Sequence, residues 1–239
     1  MAQDVFIKKE ITLKEGTLQY NLLQPSGYNS GEIGAKKFPL VVFLHGAGER
    51  GADNEKQIIH IRELFTNPVN MSKYPAFVVA PQCPEGEKWT CLNWADSLHI
   101  MTDEPTRPML LTKELIDSLI KLYPVDTCRI YITGLSMGGY GVWDAICRYP
   151  GFFASAAPVC GGGDISKAGL LVNLPLWVFH GTDDKVVPVY NSQSMVKEIK
   201  KSGGKPRYSE YKNTGHNSWI KAYKEKDFLN WMFNQDNCR

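Results

Sequence analysis

The sequence predicts an α/β fold in which a mostly parallel central sheet carries an antiparallel hairpin at its N-terminal end and helices on both faces. The main observation is that apolar runs of strand length alternate with helical patterns along most of the chain. The composition agrees, because 239 residues with 43% hydrophobic and 22% charged side chains can form one sizeable core. We therefore expect a single domain over residues 1–239.

The N-terminal hairpin is predicted from two β-rich stretches, residues 5–13 and 17–24, which Lys14-Glu15-Gly16 joins as a turn. Residues 25–37 are rich in Gly, Ser and Asn and are expected to form a loop. Apolar or β-rich runs then predict strands at 40–44, 77–80, 129–133, 176–179 and 207–211. Helical patterns lie between and after them, at 112–123, 140–149, 190–202 and 224–234.

A candidate nucleophile, Ser136, lies between a predicted strand and the helix after it, in the run Gly134-Leu135-Ser136-Met137-Gly138. A serine at such a sharp turn is strained and pushed clear of the sheet, and the flanking glycines avoid collisions. The next helix would place backbone N–H groups and a partial positive charge beside it. The alternative, a glycine-rich turn with an idle serine, fits this strand–turn–helix context less well.

A serine hydroxyl is a weak nucleophile and requires a base. In this type of fold the acid and then the histidine follow the serine, which leaves His180 and His216 as candidates. His180 ends a predicted strand, a position suited to structural hydrogen bonding, whereas His216 lies in a turn-rich loop and is the predicted base. Asp183 and Asp184 are both candidates for the acid that orients it. Asp164 is better explained as a loop residue or a helix cap.

The oxyanion of a tetrahedral intermediate requires backbone N–H donors. Met137, the residue after the nucleophile, supplies one donor, and we predict that Ala47 supplies the second, with Gly48 as the alternative. Ala47 belongs to the glycine-rich run from His45 to Gly51, which follows the first apolar strand. The competing interpretation of this run is a tight turn without a catalytic role.

Several runs of the sequence together resemble the motifs of a known family. They are His45-Gly46-Ala47-Gly48-Glu49-Arg50-Gly51, Ala80-Pro81-Gln82-Cys83-Pro84, Gly134-Leu135-Ser136-Met137-Gly138-Gly139, Val159-Cys160-Gly161-Gly162-Gly163-Asp164, His180-Gly181-Thr182-Asp183-Asp184 and Gly215-His216. Their order and spacing resemble the phospholipase/carboxylesterase-like branch of the α/β hydrolases. Within it they resemble the predicted-peptidase and esterase group, which is related to polyhydroxybutyrate-depolymerase-like and feruloyl-esterase-like enzymes. The resemblance implies an α/β-hydrolase fold with Asp184 as the triad acid and His216 as the triad histidine.

The substrate contacts are predicted from two segments. Residues 85–108 form a long irregular segment that we interpret as a loop insertion flanking the active site. Its aromatic residues could line a substrate pocket or pack the loop onto the body, and neither interpretation is favoured. The candidate substrate-binding residues are Gly48, Arg50 and Trp94. Glu49 and Arg50 are also expected to pair with each other and hold the oxyanion loop.

These features predict a serine hydrolase that cleaves carboxylic esters through an acyl-enzyme, with a Ser136–His216–Asp184 triad and no metal or organic cofactor. A serine peptidase acting on short peptides would use the same triad and is the first alternative. The second alternative is a catalytically silent binding module on the same scaffold. Such a module has no need to keep a triad and both oxyanion elements.

Net charge and hydropathy limit the classes of partner and the compartments that we expect for this protein. The net charge of +2, from 27 basic and 25 acidic residues, gives no sign of a nucleic-acid partner. No apolar run approaches the roughly 20 residues that cross a bilayer, and the first residues lack the core of a signal peptide. We expect a small-molecule ester substrate and either a cytoplasmic protein or the mature form of a secreted or periplasmic one. The oligomeric state stays open.

The cysteines show no short paired spacing of the kind that binds zinc. Cys83 and Cys91 lie in one loop-like segment and could form a disulfide in an oxidising compartment. Reduced and mostly buried thiols are the favoured interpretation.

Overall fold

A computed structural model describes residues 5–29, 36–92, 94, 96 and 98–238. Over these residues an 8-stranded sheet has the order β1-β2-β4-β3-β5-β6-β7-β8. Its strands are β1 (Phe6–Leu13), β2 (Gly16–Leu23), β3 (Phe38–Leu44), β4 (Phe77–Pro81), β5 (Val125–Leu135), β6 (Ser155–Val159), β7 (Trp177–Gly181) and β8 (Arg207–Tyr211). The pairs β1–β2 and β2–β4 are antiparallel, and every later pair is parallel. This confirms the predicted mostly parallel sheet with an antiparallel hairpin at one edge.

Helices cover both faces of the sheet. They are α1 (Arg62–Thr66), α2 (Pro68–Lys73), α3 (Arg107–Leu122), α4 (Met137–Arg148), α5 (Tyr190–Lys201), α6 (Trp219–Ala222) and α7 (Phe228–Phe233). Strand β3 is wholly buried, and its alternate side chains point to opposite faces. Leu40 and Val42 join the core under α3, α4 and α5, while Val41 and Phe43 join the core under α1 and α7. Within the described ranges, no helix has the length and apolarity needed to span a bilayer.

The structure differs from the sequence-based elements at several places. Strand β6 was not predicted, because its sequence Ser-Ala-Ala-Pro-Val contains only one β-branched residue. Helix α3 begins at Arg107 rather than residue 112, since the Thr106 side chain accepts a hydrogen bond from the N–H of Met109 and Pro108 occupies the first turn. The insertion predicted over 85–108 therefore ends at residue 106, before this helix.

The helical predictions at 140–149 and 224–234 are corrected in the same way. Helix α4 already begins at Met137, directly after the candidate nucleophile. The C-terminal helix predicted over 224–234 is confirmed in part, because α7 begins only at Phe228, and the short helix α6 before it was not predicted. Of the loop predicted over 25–37, residues 30–35 lie outside the described residues, and a turn at 25–28 is closed by the N–H of Tyr28 bonding the carbonyl of Pro25.

A disulfide joins Cys128, on β5, to Cys238 near the C-terminus, with a Cα–Cα distance of 5.3 Å. The favoured expectation of reduced cysteines is therefore wrong for this pair. The alternative Cys83–Cys91 bridge is also wrong, since both residues are free, Cys83 buried and Cys91 exposed. Hydrogen bonds reinforce the attachment of the C-terminus: the N–H of Asn237 donates to the Cys128 carbonyl at 3.1 Å.

Breaking this disulfide is expected to destabilise the fold, because the bond closes a loop between residues 110 apart in sequence. A loop of this length predicts that Cys238→Ser lowers the free energy of unfolding by as much as about 4 kcal/mol. Urea unfolding under oxidising conditions measures the loss, and Cys91→Ser, at an exposed free cysteine, is the matched control. An unchanged unfolding midpoint for Cys238→Ser would contradict the prediction.

Candidate active site

Ser136 occupies the turn between β5 and α4 with φ 55°, a left-handed backbone conformation that is strained for a residue with a side chain. The turn is possible because glycines flank it where backbones meet. A methyl group on Gly134 would lie 2.6 Å from the carbonyl oxygen of Leu44, and one on Gly138 would overlap that same oxygen. The close contact between the start of α4 and the end of β3 therefore requires glycine at both positions.

The structure brings the predicted triad side chains together in one hydrogen-bonded chain. The hydroxyl Oγ of Ser136 lies 2.8 Å from Nε2 of His216, and Nδ1 of His216 lies 2.8 Å from Oδ2 of Asp184. His216 is in the loop between β8 and α6, and Trp219 packs perpendicular to its imidazole with ring centroids 5.3 Å apart. This geometry allows a proton to pass from the serine to an imidazole that a carboxylate orients.

Asp184 is held as a carboxylate by several donors. Its Oδ1 accepts the N–H groups of Val186 and Val187, both at 2.9 Å. Burial by itself would raise the pKa of Asp184, but hydrogen bonds from His180, His216 and these amides bring it well below its usual range. An anionic Asp184 at neutral pH is what the orientation of His216 requires.

His180 takes part in holding Asp184 and is wholly buried. Its Nε2 lies 2.9 Å from the carbonyl of Val187 and 3.3 Å from Oδ2 of Asp184, while Nδ1 lies 2.8 Å from Oγ of Ser192. This agrees with the structural role expected for His180, although the sequence did not reveal its contact with the candidate acid. The side chain of Asp183, the other candidate acid, accepts a hydrogen bond from the hydroxyl of Thr182.

The loop after β3 forms a short 3₁₀ turn over Ala47–Glu49, and Gly46 at its start packs against Leu135, the residue before Ser136. Ala47 and Met137 each stand in the first turn of a helix, where backbone N–H groups have no intrahelical acceptor. Among the described residues, neither N–H has another hydrogen-bond partner. Both N–H groups are thus available as donors, and their role in an oxyanion hole stays a prediction. Gly48, the alternative donor, is exposed and has open space around its Cα.

His45 anchors this loop from beneath. Its Nε2 accepts the N–H of Cys83 at 2.9 Å, its Nδ1 lies 2.6 Å from the carbonyl oxygen of Gly46, and its own carbonyl accepts the indole N–H of Trp89 at 3.0 Å. Burial lowers the pKa of His45 to about 4, so the imidazole is neutral at pH 7. A neutral ring can donate through Nδ1 and accept through Nε2, as these contacts require.

The expected pairing of Glu49 with Arg50 is wrong, because each side chain has a different partner. Oε1 of Glu49 lies 3.3 Å from Nε2 of His60. Arg50 donates through Nε to the carbonyl of Ala47 at 2.9 Å and through Nη1 to the carbonyl of Glu87 at 3.3 Å. Arg50 therefore ties the loop after β3 to the segment predicted as the insertion.

The two described tryptophans of the predicted insertion both pack onto the body of the protein, and a substrate contact of Trp94 stays a prediction. Trp89 is wholly buried and packs the segment onto the body. Trp94 is half-buried and stacks on Tyr140, with ring centroids 6.4 Å apart, next to Leu92 and Val187. Residues 93, 95 and 97 of the predicted insertion lie outside the described residues. Asp164 caps the turn at 165–171 as expected, and it also accepts the N–H of Met101 from the insertion at 2.9 Å.

Two groups of possible metal ligands occur among the described residues. In one, ligand atoms of Cys160, Asp184 and His216 all lie within 4.8 Å of one another. Nδ1 of His216 and Oδ2 of Asp184 bond each other at 2.8 Å, so both of these atoms already have a hydrogen-bond partner. The other group consists of Cys128, Asp236 and Cys238, and its two sulfur atoms are joined in the disulfide.

The chain is similar in sequence and in fold to known esterases and related hydrolases. The sequence profile of the phospholipase/carboxylesterase family matches residues 32–231. A solved thermostable esterase is 41% identical with a TM-score of 0.88, over 98% of this chain and 64% of that one. The poly(3-hydroxyalkanoate) depolymerase C of Paucimonas lemoignei is 31% identical over 148 residues, 62% of this chain and 32% of that protein.

A solved ferulic acid esterase shares the fold at 16% identity, with a TM-score of 0.70 over 95% of this chain and 98% of that one. The chain spans at most 32% of the length of the curated relatives it matches.

The glycine contacts predict a large difference between two similar substitutions. Gly138→Ala forces a methyl group into the carbonyl of Leu44, whereas Gly48→Ala places one in open space. We expect Gly138→Ala to lower the free energy of unfolding by about 3 kcal/mol or more, or to prevent folding. Gly48→Ala should change it by less than about 0.5 kcal/mol. Thermal unfolding of the two variants compares them directly, and equal stabilities would show that the β3–α4 contact tolerates a side chain.

The neutral state of His45 predicts a pH dependence of stability. Its pKa is about 4 in the folded protein and about 6.5 in an unfolded chain, so between these values the unfolded chain binds more protons. The free energy of unfolding therefore falls as the pH is lowered from about 6.5 to about 4, and His45 contributes on the order of 3 kcal/mol to this fall. Above about pH 6.5 the contribution of His45 to the free energy of unfolding is fully present.

Urea unfolding at several pH values tests this contribution, with His45→Asn as the non-titrating variant. The variant should be less stable at pH 7 and should lose much of the pH dependence. His99, whose pKa burial also lowers, is expected to supply part of the dependence that remains. If the stability of His45→Asn kept the full pH dependence of the wild type, a group other than His45 would be its cause.

Proposed function

The chain belongs to the phospholipase/carboxylesterase family, and on that premise we propose that it is a serine carboxylesterase that acts through an acyl-enzyme on Ser136. The observation that carries the proposal is the continuous chain of hydrogen bonds from Ser136 through His216 to Asp184, with both distances 2.8 Å. This chain begins at a strained serine in front of a helix N-terminus. Such an arrangement activates a hydroxyl that would otherwise be a weak nucleophile.

In the proposed reaction, Oγ of Ser136 attacks the acyl carbon while Nε2 of His216 takes the hydroxyl proton. The negative charge that develops on the carbonyl oxygen is bound by the N–H groups of Met137 and Ala47. His216 then gives its proton to the departing alcohol oxygen, which leaves the acyl group bonded to Ser136. Asp184 stays ionised throughout and stabilises the imidazolium that forms in each step.

Deacylation repeats the sequence with water. His216 removes a proton from a water molecule, the resulting hydroxide attacks the acyl carbon, and the same N–H groups bind the second oxyanion. Collapse of this intermediate returns the proton to Oγ of Ser136 and releases the carboxylic acid. The disulfide between Cys128 and Cys238 favours an oxidising compartment as the setting of this chemistry.

A panel of substrates with the variant Ser136→Ala tests the proposal. The panel contains p-nitrophenyl esters from acetyl to long acyl chains, methyl ferulate and a short peptide anilide. We expect turnover of esters, and a fall in kcat of roughly 10⁴–10⁶ in Ser136→Ala because the nucleophile is lost. The exposed Ser202→Ala is the matched control and should behave as wild type.

Each other outcome of the panel has a definite meaning. Near-normal ester turnover by Ser136→Ala would overturn the assignment of the nucleophile. Turnover of the peptide alone would replace the esterase with a peptidase. No turnover of any member by a correctly folded wild type would favour a binding module.

A further inference from the structure

Four side chains form a continuous line of contacts from the loop after β3 to the proposed base. Oε1 of Glu49, in the 3₁₀ turn that also holds Ala47, lies 3.3 Å from Nε2 of His60. The ring of His60 packs on Trp219, and Trp219 packs on His216, with ring centroids 5.3 Å apart in both contacts. The proposed oxyanion donor and the proposed base are therefore attached to the same line of side chains.

Packing alone does not explain a carboxylate at Glu49. Its side chain is only 15% exposed, and its Oε2 has no hydrogen-bond partner among the described residues. A buried acceptor without a partner lowers stability, so each such group in a folded protein requires an explanation. An apolar side chain of similar size would fill the same space without this loss, which suggests a role other than packing.

The neighbours of Glu49 keep its carboxylate anionic. Burial alone would raise the pKa of Glu49, but the hydrogen bond from His60 and the interaction with the backbone of Gly46 bring it below its usual range. Oε2 lies close to Gly46, since a methyl group on that glycine would stand 2.9 Å from this oxygen. The carboxylate thus faces His60 on one side and the residue before Ala47 on the other.

The contacts of His60 and Trp219 with the body of the protein support the line. His60 directly precedes Ile61, which is wholly buried. Trp219 begins α6, and its carbonyl accepts the N–H of Tyr223 at 3.0 Å. The buried hydroxyl of Tyr223 lies 3.2 Å from Oγ1 of Thr133, on the strand β5 that leads to the proposed nucleophile. Trp219 is therefore held relative to the strand that carries the serine.

We propose that Glu49 and His60 are positioning residues of the enzyme. Through Trp219 they fix the imidazole of His216 in the orientation that meets the proposed nucleophile. Because Glu49 belongs to the same turn as the proposed oxyanion donor, the pair also sets that donor relative to the base. The inference rests on the proposed esterase function, and neither residue is assigned a contact with the reacting atoms.

Alanine variants test the proposal with p-nitrophenyl acetate as the substrate. We expect Glu49→Ala and His60→Ala each to lower kcat about tenfold and to leave KM within about twofold, because a base displaced from its reactive position slows the chemical step. The double variant should also lose about tenfold, since either change alone already breaks the line. Glu10→Ala, at an exposed position of the edge strand β1, is the matched control and should keep the wild-type kcat.

Phenylboronic acid gives a readout that a purely structural role would not move. Its boron bonds to Oγ of the serine in a tetrahedral adduct that resembles the intermediate, so its Ki reports how well the base and the oxyanion donors are aligned. We expect this Ki to rise about tenfold in Glu49→Ala and in His60→Ala.

Two conservative variants locate the effect in the ring contacts. Trp219→Phe keeps a ring against His216 and should stay within about threefold of the wild type in kcat and Ki. His60→Gln keeps a donor for Glu49 but has no ring to pack on Trp219, so it should lose about tenfold in kcat. Circular dichroism verifies that each variant is folded, and His60→Gln tests the proposal if the alanine variants are not.

The outcomes separate this proposal from the esterase function. A loss of about a hundredfold in the double variant, a change in KM instead of kcat, or an unchanged Ki would overturn the positioning role while the esterase stands. Full activity of His60→Gln, or a tenfold loss in Trp219→Phe, would do the same, because the ring contacts would then not carry the effect. Turnover of p-nitrophenyl acetate by Ser136→Ala near the wild-type rate would instead overturn the esterase itself.

Discussion

The candidate active site depends on one backbone contact, which joins the end of β3 at Leu44 to the start of α4 at Gly138. The carbonyl of Leu44 occupies the space that side chains at Gly134 and Gly138 would need. With no side chain between them, strand and helix approach closely and the chain turns sharply enough to hold Ser136 at a positive φ. The loop that carries Ala47, the proposed oxyanion donor, begins directly after Leu44, so the same contact fixes the start of that loop next to the turn at Ser136.

A second backbone contact brings the proposed acid, Asp184, and the proposed base, His216, together. Gly181 ends β7 against the carbonyl of Thr214, where a side chain would not fit. The N–H of Asp183 also donates to this carbonyl at 2.9 Å, and the N–H of Thr182 donates to Tyr211 at 3.0 Å. These bonds join the loop that carries Asp184 to the loop that carries His216. The hydrogen bonds of the triad are therefore supported by main-chain bonds that do not depend on rotamers.

Much of this arrangement could be predicted from the sequence because it depends on local patterns. Buried strands appear as apolar runs, and the turn at Ser136 has its own glycine spacing. Strand β6 escaped prediction because small residues that pack closely between two neighbouring strands have no β-rich pattern. The partner of Cys128 lies 110 residues away, and no local rule connects the two. Glu49 and Arg50 are adjacent in sequence, but each found a partner that only the folded chain brings near.

Helix α4 connects the proposed nucleophile, Ser136, to the segment that was predicted as an insertion. The helix begins directly after Ser136 and ends at Arg148, whose guanidinium pairs with the buried carboxylate of Asp144 at 2.6 Å. Arg148 also donates to the carbonyls of Thr102 and Asp103 at 2.7 and 2.8 Å, so it fixes the insertion to the helix.

An ion pair this deeply buried contributes little net stability but is costly to break, because either partner alone would remain charged in the interior. The insertion and the serine are consequently carried by one rigid element. Trp94 of the insertion also stacks on Tyr140 of this helix, so ring packing and hydrogen bonds together hold the insertion against α4.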